Sequence, residues 1–129
     1  MTYCHIRDYT NAIKQGKQLL EIYQQRKKTD EDEGNILLRL AMIYKNLFKY
    51  VEAKKLYEKA ISITREIGDR NGEATAYGNL GVVFSSLGEY DKAKEYIWKA
   101  LAITVEIRDK VKEANCYGNL GTVFLSLGE

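Results

Sequence analysis

Three short stripes of polar and mixed residues recur along this chain, each with members spaced four, three and four positions apart. The first is Asn35, Arg39, Met42 and Asn46, the second Thr75, Asn79, Val82 and Ser86, the third Asn115, Asn119, Thr122 and Ser126. On a helix of about 3.6 residues per turn this spacing keeps each stripe on one face. Amides and hydroxyls suit an extended peptide, whose backbone N–H and C=O groups are unpaired, because Asn offers both donors and an acceptor. Arg39 can grip a carboxylate in a bidentate manner, and Met42 and Val82 add apolar contact. Bond-making chemistry has no comparable constellation. His5 is the only histidine and lies away from the stripes, Cys4 and Cys116 are far apart, and the acidic residues lack metal-ligand spacing. The expectation is a non-catalytic binding surface with no metal and no cofactor.

The stripes are held in register by an internal repeat. Tyr77-Gly78-Asn79-Leu80-Gly81 returns forty positions later as Tyr117-Gly118-Asn119-Leu120-Gly121. Val83-Phe84 and Ser86-Leu87-Gly88-Glu89 recur with it as Val123-Phe124 and Ser126-Leu127-Gly128-Glu129. A weaker copy lies forty positions earlier, Leu37-Leu38-Arg39-Leu40-Ala41, with Tyr44, Leu47, Tyr50, Ala53 and Ala60 in register. A fixed period in this range marks stacked supersecondary units. The units are 29–68 and 69–108, with a partial one at 109–129.

Each unit reads as two helices. In the first, Tyr77, Leu80, Phe84 and Leu87 make one apolar face, and Gly88 ends the helix in a left-handed turn. In the second, Tyr90, Ala93, Ile97, Ala100, Leu101 and Ile107 match Tyr50, Ala53, Tyr57, Ala60, Ile61 and Ile67 of the preceding unit. Residues 8–28 fit as the second helix of an earlier, partial unit, with Tyr9, Ala12, Leu20 and Ile22 one residue out of register. Lys27-Lys28 would close that helix and Asp30-Glu31-Asp32-Glu33 open the next, with Asp30 and Glu33 as a capping box. Six helices are expected, near 8–28, 32–47, 51–67, 72–87, 91–107 and 111–127.

Composition narrows the setting. A formal net charge of +2 creates no strong field toward nucleic acid or membrane, and no apolar run approaches the length of a spanning helix. Lys14, Lys17, Arg26, Lys27 and Lys28 form a basic cluster, but it is not repeated with the period, as a base-reading array requires. The first residues lack the apolar stretch of a secretory signal, and the two cysteines lack paired spacing. A cytoplasmic setting follows, with reduced thiols and Cys116 as a small core residue; a structural disulfide is the alternative.

The pattern resembles the tetratricopeptide repeat in its longer form of about forty residues, over residues 8–129. The family's small residues at helix crossings appear as Ala41, Gly81 and Gly121 in first helices, and as Ala53, Ala60, Ala93 and Ala100 in second helices. Glycine inside a helix costs about 1 kcal/mol against alanine. Its recurrence implies close backbone approach, and the spacing is wrong for a phosphate loop. Within the family, Tyr77–Gly81 followed by Ser86–Tyr90 is most similar to the G-protein signalling modulator (LGN-type) repeats. The Asn that follows Leu-Gly there is replaced by Met42, Val82 and Thr122, and no segment corresponds to those that bind G-protein α subunits. G-protein regulation is therefore not carried over.

The resemblance implies an all-α fold, a right-handed superhelical α-solenoid of antiparallel helix pairs forming a single array. First helices would line a concave groove and set the three stripes side by side, holding a partner's peptide or helix. Asn79 and Asn119 occupy the place where some members hold a ligand carboxylate. The lysine one turn earlier is replaced by Asn35, Thr75 and Asn115.

The rival reading is self-association through uncapped ends. The chain opens on an orphan second helix and stops where another is due, which suggests a piece of a longer array. Tyr117, Leu120, Phe124 and Leu127 are then expected to lack cover. Tyr44, Tyr50, Tyr57, Tyr77, Tyr90 and Tyr117 are expected in the core. Trp98, where the sister unit has Glu58, is either an exposed contact or packed on a neighbouring helix.

Overall fold

The structure, a computed structural model, describes residues 3–25 and 31–128. The described residues form six helices and no strand: α1 (Tyr3–Gln25), α2 (Glu31–Asn46), α3 (Tyr50–Ile67), α4 (Arg70–Ser86), α5 (Tyr90–Glu106) and α6 (Lys110–Leu127). The chain is an all-α solenoid. Helices α2 to α6 lie within two residues of the expected bounds, whereas α1 is already helical at Tyr3. The junction drawn through Lys27, Lys28 and Asp30 lies outside the described residues.

Local chemistry sets the helix ends at the same phase in each unit. The Asp69 carboxylate accepts from the Gly72 N–H at 2.9 Å and Asp109 from the Lys112 N–H at 3.0 Å, satisfying orphan donors of α4 and α6. The turn after a first helix is left-handed at Gly88 and Gly128, with φ of 80° and 74°. The same turn is left-handed at Phe48, with φ of 63° and no glycine to ease it.

Packing follows two apolar faces on each first helix. One faces the second helix of its own unit. Tyr77 and Phe84 of α4 lie 5.9 and 5.1 Å from the Tyr96 ring of α5. A Cβ on Gly81 would fall 2.5 Å from Ile97 Cγ1 and 3.2 Å from the Ala93 carbonyl oxygen, so the close approach is real there. The other face meets the preceding second helix: Cys116, Leu120 and Val123 of α6 are buried, with α5 as the neighbouring second helix.

That second face corrects part of the sequence reading. Leu120 is 3% exposed, not uncovered, because it faces back toward α5. Tyr117, a core position by the repeat but one of the four residues expected to lack cover, is 55% exposed, with no described helix over its side of α6. Phe124 and Leu127 are half-buried. A Cβ on Gly121 would meet nothing within 4 Å, so close approach does not explain that glycine in this structure. Tyr44, Tyr57 and Tyr77 are buried, Tyr50 and Tyr90 pack partly against the core, and Trp98 stays half exposed.

The two glycines therefore respond oppositely to alanine. Gly81→Ala forces Ile97 and α5 outward and lowers stability by about 1–3 kcal/mol. Gly121→Ala meets open space and raises stability by up to about 1 kcal/mol through helix propensity. Urea unfolding followed by circular dichroism reads both signs.

Candidate functional site

First helices lie side by side, with α2 against α4 and α4 against α6. Between α4 and α6 is a cavity of about 510 Å³. Thr75, Asn79 and Val82 line one wall and Asn115 and Asn119 the other, so five members of the two later stripes meet in one space. Gly78 and Gly118 also line it. A Cβ at Gly78 would touch only Ala100, at 3.7 Å, and one at Gly118 would touch nothing. Missing side chains thus keep the cavity open.

The remaining stripe residues are placed elsewhere. Asn35, Met42 and Asn46 are exposed on α2 and Ser86 and Thr122 on later turns, and none of them lines this cavity. The Thr122 and Ser126 hydroxyls donate to the carbonyls of Gly118 and Thr122 at 3.2 and 3.1 Å, so their protons are used within α6. Arg39 lines a separate cavity of about 220 Å³ between α1 and α2, with Gly16, Leu19 and Ile36 among its walls.

Two cationic residues complete the α4–α6 cavity that periodicity did not single out. Lys45 reaches from α2 and donates to Asn79 Oδ1 at 3.4 Å. Lys112, in the first turn of α6, donates to Thr75 Oγ1 at 2.8 Å and also to Asn71 Oδ1. Both lie off the four-three-four spacing, and only their long side chains bring the ammonium groups into the groove. Burial pulls the Lys45 ammonium below the usual lysine range. At the back, Cys116 is a free, buried thiol. Burial pushes it above its usual range, with a Thr104 hydrogen bond as a smaller opposing influence, which makes it a packing residue and a poor nucleophile.

Among the described residues no cluster of acidic, His or Cys side chains could hold a metal ion, and no helix is long and apolar enough to cross a membrane. Helix pairs stacked around a polar groove define a helical-repeat module of the kind that serves as a scaffold for protein–protein interaction. The tetratricopeptide repeat model matches residues 32–104, and the chain belongs to that family.

Solved structures agree on the fold. BtubC (BKLC) from P. vanneervenii is 27% identical, with a TM-score of 0.82 over 92% of this chain and 49% of its own. A signal transduction ATPase with numerous domains and a tetratricopeptide repeat sensor, from Pyrococcus horikoshii, is 25% identical, with a TM-score of 0.80 over 91% of this chain and 18% of its own. A Rap protein in complex with competence and sporulation factor is 22% identical, with a TM-score of 0.81 over 98% of this chain and 35% of its own. The chain thus spans less than half the length of each of these proteins. No curated protein matches the sequence.

Lys45 carries a stability signature. Its folded pKa lies below the unfolded one, so the charged form is disfavoured in the native state and the penalty is full at neutral pH. Between the folded pKa and the ordinary lysine value the unfolded chain binds more protons, and stability rises with pH. Lys45→Met should raise stability at pH 7 by up to about 0.5 kcal/mol, a modest effect because the ammonium is still partly solvated. It should also flatten the rise in stability above neutrality, as pH-dependent urea denaturation would show.

Proposed function

We propose that this chain is a non-catalytic adaptor that holds an extended segment of a partner protein along the groove formed by α2, α4 and α6. The observation that carries the reading is the convergence of Thr75, Asn79, Asn115 and Asn119 on one open cavity. Neutral amides there can bond a peptide backbone in both directions, as donor and acceptor. Arg39, Met42 and the rest of the α2 stripe would extend the contact along the array. The Rap neighbour, whose structure is a complex with competence and sporulation factor, is consistent with ligand binding on this fold. The likeness of Tyr77–Gly81 and Ser86–Tyr90 to modulator repeats adds a kinship within the family and no G-protein role. A cytoplasmic partner fits the free Cys116 thiol.

Peptides selected from a random displayed library against the whole chain test this reading. Asn79→Ala with Asn119→Ala should weaken their binding by about tenfold or more, the loss of at least one well-made polar contact. The helical signal and melting midpoint should stay unchanged. Arg39→Ala then reports whether the ligand reaches α2. Peptides bound equally by the folded double variant would remove the groove from consideration.

A second reading, self-association through α6, is favoured by the exposure of Tyr117 and Leu125, 55% and 81%. It predicts a scattering mass that grows with concentration and falls back to that of one chain in Tyr117→Ser with Leu125→Ser. A mass independent of concentration rejects it.

A further inference from the structure

The cavity between α4 and α6 is lined by two lysines and by no aspartate or glutamate. They come from opposite sides, Lys45 from α2 and Lys112 from α6. Each spends its donors on neutral oxygens: Lys45 on Asn79 at 3.4 Å, and Lys112 on Thr75 at 2.8 Å and on Asn71. Neither makes an ion pair among the described residues. Arg70, Lys92, Lys99 and Lys110 each hold a carboxylate within 4.0 Å, and cations such as Lys55, Lys59 and Arg65 are simply exposed to solvent. What sets Lys45 and Lys112 apart is their place in one cavity that no carboxylate lines.

A half-buried ammonium with only a neutral acceptor leaves part of its desolvation uncompensated. The Lys45 contact is also longer than the ~2.7–2.9 Å of a good charge-assisted bond, so an incoming carboxylate oxygen can replace it. These lysines do not stand one turn before Asn79 and Asn119, where Thr75 and Asn115 are found. They enter from the neighbouring helix and from the helix start.

Resting on the groove reading above, we infer that the partner segment is acidic. Its carboxylates meet Lys45 and Lys112, while its backbone lies on the amides of Asn79 and Asn119. Lysine is a point charge with three rotatable donors, so the site selects negative charge without demanding one planar geometry. Anionic side chains on a peptide are the shared chemistry, and aspartate or glutamate is the source assigned.

The test compares libraries of displayed random peptides selected in parallel against four folded forms: the unaltered chain, Lys45→Gln with Lys112→Gln, Lys55→Gln with Lys59→Gln, and Asn79→Ala with Asn119→Ala. Lys55 and Lys59 are exposed on α3 and control for lost net charge. Peptides selected by the unaltered chain should be enriched in Asp and Glu. Their affinity should fall about tenfold or more in the Lys45/Lys112 variant and hold in the Lys55/Lys59 variant. Selected peptides without acidic enrichment, yet lost in the Asn79/Asn119 variant, overturn the acidic assignment and leave the groove standing. Acidic peptides equally sensitive to both lysine pairs also overturn it, as bulk electrostatics. So does an affinity that rises more than about tenfold when phosphoserine replaces the selected acids, which reassigns the site to phosphopeptides. Peptides indifferent to Asn79 and Asn119, or no selected peptides at all, overturn both the groove and its charge preference.

Discussion

The approach of α4 to α5 at Gly81 is the contact on which the rest of the array depends. Ile97 fills the place a Cβ would need, and Ile97 and Ala93 are wholly buried against the bare backbone. Once that distance is set, the rotation of α4 is set with it. Leu80 and Val83 turn inward to the core, while Asn79 and Thr75 turn to the cavity beside α6. The same geometry governs the turns. Phe48 and Arg108 take left-handed conformations, φ of 63° and 59°, at the phases where Gly88 and Gly68 stand in the sister units. A local strain on the order of 1–2 kcal/mol is thus accepted to keep the helix pairs in phase. Tertiary packing outweighs local preference.

The groove is made by removal and by imbalance. Removal is the work of Gly78 and Gly118, which leave the cavity between α4 and α6 unfilled. Imbalance comes from Lys45 and Lys112, whose ammonium groups face neutral oxygens. Neither choice serves stability. Helical glycine loses about 1 kcal/mol against alanine, and a half-buried charge is worse than an apolar side chain of similar length. Departures from local consistency that cluster in one cavity are the pattern expected where a surface serves binding.

Much of the architecture was legible because it is local and periodic. The forty-residue step, the glycine at the end of α4 and the alternation of apolar positions each reflect one helix or one turn. The misassigned residues mark the limit of that reading. Leu120 was grouped with Tyr117 as lacking cover because the two belong to one apolar arc, three residues apart, and periodicity cannot say that Leu120 turns to α5 while Tyr117 stays exposed. Gly81 and Gly121 follow the same four residues, Tyr-Gly-Asn-Leu, yet only Gly81 meets a neighbour. Lys45 and Lys112 were invisible as groove residues because spacing tracks the direction of Cβ, and a lysine ammonium lies several bonds farther on. Arg39 shares a stripe position with Asn79, but it lines the cavity beside α1, where Gly16 lets Leu40 approach the backbone.

By itself the sequence determined the helices, their order, their repeat and the chemical character of each face, because these follow from side-chain spacing along a single axis. Only the tertiary structure decided which faces meet, which glycines are crowded, and which lysines share a cavity with the amides. Those outcomes depend on distances between axes and on the reach of long side chains, and neither is written in the period of one helix.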